Sequence, residues 1–245
     1  MNIKQILSPN KSSILRKKST IKYIILHYTG MQSTRESLER LTSKKSKVSC
    51  HYLISEKGRI YQIVDENRTA WHAGKSRWKD DINLNSKSIG IELSNKGHNI
   101  DYKNYPNKQL KCLLQLLKYL IKKYNISIYN ILGHSDVAPL RKKDPGEKFP
   151  WLSILKILYP KKKLFNQNVI NKITLQKSKK NYRDLFFKNL KKIGYRYFLI
   201  KKRKPTDIKV IKAFQRRYRQ DRVDGKIDTE CLKISSKIVK ISKNA

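Results

Sequence analysis

The sequence predicts an α/β fold, a β-sheet flanked by helices, followed by a small C-terminal module of three helices. Three observations carry that expectation. Short apolar runs of strand length alternate with amphipathic stretches of helical period before residue 160. Several of those runs end on a histidine or a glutamate, as strands do when they deliver side chains to the loops at a sheet edge. Beyond Trp151 the pattern gives way to a charged, weakly periodic stretch and then to three short amphipathic segments.

Taken in order, residues 1–19 read as a polar, basic leader. "IKYIILHYT" is a continuous apolar run rich in Ile and Tyr, the signature of a buried strand, and it ends near His27. Ser33 followed by Glu36 has the spacing of a capping box and opens a helix through "RESLERLTS". "HYLISEKGRIYQIV" predicts a hairpin with its turn at "EKG". "SIGIELS" is a further strand that ends near Glu92. "NKQLKCLLQLLKYLIKKYN" is the clearest helix, with Leu110, Leu113, Leu114, Leu117, Ile121 and Tyr124 at helical spacing. "ISIYNILGH" returns as a strand and brings His134 to its end.

The expected organisation is a leader over 1–19, a main domain over 20–160, a linker over 161–180 and a helical module over 181–245. In the module, Ile208, Ile211, Phe214 and Tyr218 lie on one predicted helix face as core, and "RVDGK" is a turn.

The net charge of +39 is shared unevenly. Residues 1–160 carry 30 Lys+Arg against 12 Asp+Glu, and residues 161–245 carry 27 against 6. Such a surface attracts any polyanion. The abundance of Lys, Ile and Asn with scarce Ala and Gly is also what A+T-biased coding produces, so charge alone assigns no partner. No nucleic-acid-binding motif accompanies the basic half, and no specific nucleic acid is expected. Cys50, Cys112 and Cys231 are odd in number, widely spaced and without CxxC pairing, which speaks against a disulfide scaffold or a thiolate zinc site. No apolar run long enough for a signal peptide or a membrane span occurs, giving the expectation of a cytoplasmic protein, with the periplasm or cell wall as the alternative. A monomer is expected.

The chemistry gathers in "ILGHSDVAPLRKKDPG". Catalytic zinc takes three protein ligands, commonly His, Asp, Glu or Cys, and keeps a fourth position for water. His27, His134 and Asp144 supply such a set, two at strand ends and one on a loop stiffened by Pro139 and Pro145. Alone, this spacing equally suits ordinary polar residues satisfied by their neighbours.

Four blocks in order, "IILHYTG", "VSCHYLISEKGRIYQIVDENRTAWHAGKS", "SIGIELSNKG" and "GHSDVAPLRKKDPGEKFPW", resemble the signature blocks of the zinc-dependent N-acetylmuramoyl-L-alanine amidases of the amidase-2 type, whose fold the peptidoglycan recognition proteins share. The resemblance covers roughly residues 20–158. It implies a mixed β-sheet flanked by helices, and one Zn2+ held by His27, His134 and Asp144. It further implies Glu92 as general base and acid, and Lys142 as the cation that steadies the oxyanion, with Arg141 and Lys143 as neighbours that register alone separates from it.

The implied reaction is hydrolysis of the amide between N-acetylmuramic acid and L-alanine in peptidoglycan or muropeptides, in wall turnover or recycling. A non-catalytic recognition protein that keeps the fold is the rival reading. His51, Trp71 and His72 are candidate substrate-groove residues, each with a structural alternative. Trp78 is either a stacking platform or a core filler, Asp136 a structural bond to its own loop, and His98 solvated surface. "VIKAFQRRYRQDRVDGKIDTECLKI" resembles the three-helix peptidoglycan-binding module often appended to these amidases, which leaves Arg216, Arg217, Arg219 and Arg222 exposed to meet stem-peptide carboxylates.

Overall fold

The computed structural model describes residues 2–160 and 182–243. The expected linker, 161–180, lies outside the described residues. The strands, in chain order, are β1 (Ile3–Gln5), β2 (Lys11–Leu15), β3 (Tyr23–Tyr28), β4 (Tyr52–Ile54), β5 (Ile60–Gln62), β6 (Arg68–Ala70), β7 (Arg77–Trp78), β8 (Asp81–Ile82), β9 (Ser88–Leu93) and β10 (Ile131–Gly133). The helices are α1 (Thr34–Thr42), α2 (Asn107–Tyr124), the single turn α3 (His134–Val137), α4 (Trp151–Leu158), α5 (Tyr182–Ile193), α6 (Asp207–Tyr218) and α7 (Thr229–Lys243).

Six strands form the main sheet in the order β1-β5-β4-β9-β3-β10. β4, β9, β3 and β10 run parallel, while β5 turns back antiparallel on β4. The sheet is therefore mixed, and the carboxyl ends of its three parallel neighbours β9, β3 and β10 open at one edge. Period-2 alternation divides the two faces. Ile24 and Leu26 of β3, with Ile89, Ile91 and Leu93 of β9, pack against α2 in one cluster. Tyr23, Ile25 and Leu132 pack on the opposite side, in a cluster that also holds Trp78, Phe186, Leu190, Tyr195 and Phe214. The helical unit α5 to α7 thus shares a core with the sheet.

Local chemistry explains the elements. Ser33 caps α1 by accepting the Glu36 amide at 3.1 Å, and Glu36 accepts from the Gln32 amide at 3.0 Å. The hairpin forms with Ile54 opposite Ile60, and its turn needs Gly58 at φ 82°. A Cβ there would also stand 2.9 Å from the Lys108 carbonyl oxygen. The inner face of α2 is Gln109, Leu113, Leu116, Leu117 and Leu120. It is rotated from the expected stripe, because leucines occupy most sides of this helix and either stripe has helical period. Gln109 decides the matter: its amide donates to the carbonyls of Ile54 and Ser94 at 2.9 and 3.0 Å.

The segment read as a leader carries two strands. β1 pairs with β5 in parallel, and β2 pairs with β6. Arg16 then donates to the carbonyls of Glu66 and Ser88 at 2.9 and 2.7 Å. In α6 the buried face is Val210, Ile211, Phe214 and Arg217, while Ile208 is 45% exposed. No helix among the described residues is long and apolar enough to cross a membrane.

Candidate metal centre

β3 and β9 pair in parallel with His27 opposite Glu92, so the two side chains stand side by side on one face at the open edge. β10 ends at Gly133, and His134 opens the turn that follows. The loop after α3 returns Asp144 beneath them, its Asp144–Pro145 bond cis. Three atoms converge: His27 Nδ1 and His134 Nδ1 at 2.9 Å, His27 Nδ1 and Asp144 Oδ2 at 3.0 Å, His134 Nδ1 and Asp144 Oδ2 at 3.1 Å. All three residues are buried. Hydrogen bonds alone satisfy such a triangle poorly, since the two Nδ1 atoms face each other and the carboxylate oxygen together. Ligand atoms about 2.0 Å from a tetrahedral zinc lie about 3.3 Å apart, so the triangle fits a small divalent cation with little adjustment.

The protonation states suit ligation. Burial, then the neighbouring His134, lowers His27 to about 4, so its ring is neutral at neutral pH. Burial alone would raise the Asp144 carboxyl, but His134 and His27 outweigh it and hold it ionised far below the usual range. A neutral imidazole at His27 and an ionised carboxylate at Asp144 are the forms in which these groups bind a metal. The remote nitrogens are also engaged: His134 Nε2 donates to the Ala73 carbonyl at 3.1 Å, and His27 Nε2 lies 3.0 Å from His72 Nδ1.

Glu92 lies beside this set with its Oε2 buried and without a hydrogen-bond partner among the described residues. Burial, with Asp144 close by, pushes its carboxyl from the ordinary 4.5 up to about 8, and Lys142 opposes the rise. Arg141 is anchored by its guanidinium to the Ala73 and Lys75 carbonyls. Lys142 is therefore the loop cation whose charge bears on both Glu92 and His27. The centre opens into a cleft of about 710 Å³ whose walls include Tyr28, Arg40, Trp71, His72 and Lys143.

In the metal-free protein this raised carboxyl has a stability consequence. Between pH 4.5 and about 8 the folded state holds a proton that the unfolded chain has released, so Glu92 costs stability progressively as pH rises through that window. The melting temperature of Glu92→Gln in chelator, minus that of the wild type, will accordingly grow from pH 4.5 to 8. A difference independent of pH would contradict the assignment.

Other expected residues fall differently. Trp71 is 36% exposed in the cleft, whereas Trp78 is core, edge-on to Tyr195 at 4.9 Å. His51 does not reach the cleft. It is fully buried, its Nδ1 accepting the Gly90 amide at 2.9 Å and its Nε2 donating to the Arg68 carbonyl at 3.1 Å, so it completes the β4–β9 pairing. His98 is no solvated surface residue: it stacks on Tyr102 at 4.3 Å and joins Tyr28 to Glu147 at 3.0 and 3.1 Å.

Asp136 accepts from the Gly133 amide of its own loop at 2.8 Å, as expected, and also from Tyr195 at 2.6 Å and Arg217 at 2.8 Å. Of the four arginines expected to be exposed only Arg222 is, its side chain 55% exposed, and all four are ion-paired. Arg217 and Arg219 are each 3% exposed, the first paired with Asp136 and the second with Asp224 at 3.0 Å. Arg216 pairs with Glu147 at 3.3 Å, and Arg222 with Asp228. Asn85, which the sequence reading passed over, accepts the amides of His72 and Ala73 at 3.1 and 2.7 Å.

Residues 17–147 match the family described as N-acetylmuramoyl-L-alanine amidase. The N-acetylmuramoyl-L-alanine amidase AmiD of Escherichia coli K12 is 41% identical over 143 residues, 54% of this chain and 51% of that protein. The 1,6-anhydro-N-acetylmuramyl-L-alanine amidase AmpD of Citrobacter freundii is 37% identical over 114 residues, 46% of this chain and 59% of that protein. The aligned part thus spans only about half to three-fifths of these curated relatives. Among solved structures, Escherichia coli AmiD in complex with anhydro-N-acetylmuramic acid-L-Ala-D-γ-Glu-L-Lys superposes with a TM-score of 0.78 at 30% identity, covering 94% of this chain and 91% of that one. AmpDh3 of Pseudomonas aeruginosa superposes with a TM-score of 0.79 at 26% identity, covering 96% of both chains. With the matched segment exceeding half of its length and carrying the His27–His134–Asp144 cluster, the chain belongs to the N-acetylmuramoyl-L-alanine amidase family.

Proposed function

We propose that the protein is a zinc hydrolase that cleaves the amide between N-acetylmuramic acid and L-alanine in muropeptides, with His27, His134 and Asp144 as the metal ligands. The observation that carries the reading is the convergence of His27 Nδ1, His134 Nδ1 and Asp144 Oδ2 beside the unpartnered, buried Oε2 of Glu92. Zinc bound there supplies Lewis acidity, lowering the pKa of a water towards about 7 and polarising the scissile carbonyl.

The protein groups do the rest. Glu92, half-buried with its Oε2 out of water, accepts the proton of the attacking water in its ionised form, which the charge of a bound zinc would favour. The new C–O bond makes a tetrahedral oxyanion, and the Lys142 ammonium steadies its charge. Glu92 then returns the proton to the α-amine of L-alanine as the C–N bond breaks. A muramic lactyl carboxylate and a free stem peptide result. Trp71 and His72 stand on the cleft wall where sugar and peptide must pass.

The catalytic groups all fall within the proposed 20–160 unit. The proposed 181–245 unit retains its likeness to a peptidoglycan-binding module, but Arg217 and Arg219 are not available to carboxylates of a wall polymer.

Hydrolysis of an anhydro-muramyl tripeptide should vanish after dialysis against chelator and return with one equivalent of zinc. Full activity in metal-free protein would overturn the proposal.

A further inference from the structure

Three hydrogen bonds run in single file away from the centre. The Leu84 carbonyl can only accept, so the Ser88 hydroxyl donates to it at 2.6 Å. The Ser88 oxygen then faces His72 Nε2 at 3.2 Å with a lone pair, and that nitrogen must carry the proton. His72 Nδ1 is thereby an acceptor, and His27 Nε2, 3.0 Å away, donates to it. The order ends with His27 Nδ1 bare and turned toward His134 and Asp144. A neutral imidazole carries one proton on one of its nitrogens, so fixing the far one frees the near one.

The next residue does the same for the second ligand. The Ala73 carbonyl can only accept, so in its 3.1 Å bond with His134 Nε2 the ring donates and His134 Nδ1 is bare, while the Arg141 guanidinium, 3.3 Å from the same nitrogen, turns its donors to the Ala73 and Lys75 carbonyls. Residues 72 and 73 are themselves held by the Asn85 side chain, whose oxygen accepts both of their amides. The fold makes room for this arrangement at a cost to strand propensity: a Cβ on Gly90, in the middle of central strand β9, would meet the His72 ring at 2.4 Å. His72 packs flat over that gap and lies edge-on to His27 at 5.1 Å.

We propose that His72 is a positioning residue for ligand His27, and that the His72–Ala73 pair, clamped by Asn85, locks both ligand imidazoles in the tautomer and orientation that present Nδ1 to the metal. This inference rests on the zinc-amidase reading. It assigns His72 to the metal rather than to the substrate, although the ring borders the cleft. Partners of this kind change metal affinity by about 10- to 100-fold when removed.

Zinc affinity measured by competition with a chromophoric chelator tests it, with the absorption spectrum of the cobalt-substituted protein as a second readout. His72→Leu, which keeps bulk but cannot accept a hydrogen bond, should bind zinc about 10- to 100-fold more weakly and shift the cobalt bands. His72→Asn, whose Oδ1 can take the place of Nδ1, should recover most of the affinity. Ser88→Ala leaves the ring in place and removes only the group that orders it, so it should give a smaller loss. It also serves if His72→Leu fails to fold.

Wild-type affinity and an unshifted cobalt spectrum in His72→Leu or, should that variant not fold, in Ser88→Ala would overturn the proposal. So would a loss in His72→Leu that His72→Asn does not recover, which would make the ring mere packing. A wild-type protein that binds no zinc would instead remove the function on which the inference rests.

Discussion

Glu92→Gln will keep its zinc and lose about 10²- to 10⁴-fold in kcat, the range that a positioned general acid–base contributes. The substitution preserves the volume of the side chain and its place opposite His27 on β9. It removes only the ability to take a proton from water and return it to the amine. Because Glu92 is outside the converging triad, zinc content measured alongside the kinetics should stay at one equivalent. A variant with normal zinc and kcat within about threefold of wild type would take the proton transfers away from Glu92. Loss of zinc would mean that Glu92 is instead part of the metal's support.

The second large effect is on stability and lies at the back of the centre. Arg217→Leu should lower the free energy of unfolding by about 3–5 kcal/mol, the cost of leaving a buried ion without its partner. Asp136, 1% exposed, would keep only the Gly133 amide and the Tyr195 hydroxyl. The Ile131 carbonyl would lose its 2.7 Å bond from the same guanidinium, and Trp151 the cation 4.2 Å above its ring. Denaturant unfolding measures the loss, and adding Asp136→Asn should restore part of it by removing the stranded charge. A change below about 1 kcal/mol would mean that water reaches this pair.

That ion pair ties the helical unit to the turn that begins with His134. Lys209 adds a bond to the Leu140 carbonyl at 3.1 Å, and Gln220 one to the Phe149 carbonyl at 2.6 Å. The loop from 133 to 149 is thus held from outside at several points, and α6 acts as its brace.

The convergence of His27, His134 and Glu92 was legible because each lies at the end of a short apolar run, where a parallel sheet must deliver it to the open edge, while Asp144 was read from the proline-flanked loop after His134. The strand positions fixed their neighbourhood, and the ordered blocks separated them from the other polar residues. The arginines of α6 were misread for a physical reason. A charged residue is solvated by default, and the carboxylate that buries Arg217 is 81 residues away in sequence. His98 was missed likewise, its partners being 70 and 49 residues distant. β1 and β2 are short and half-exposed, so only pairing with β5 and β6 makes them strands. Asn85 gave no signal, because it acts through its side-chain oxygen on two backbone amides.

Mass spectrometry of the products from an anhydro-muramyl tripeptide tests the central claim most directly. Two species are expected, an anhydromuramic acid with a free lactyl carboxylate and an intact peptide with a free L-alanine amine, each formed only with zinc present. Intact muropeptide recovered bound to zinc-loaded protein, or scission within the peptide, would contradict it.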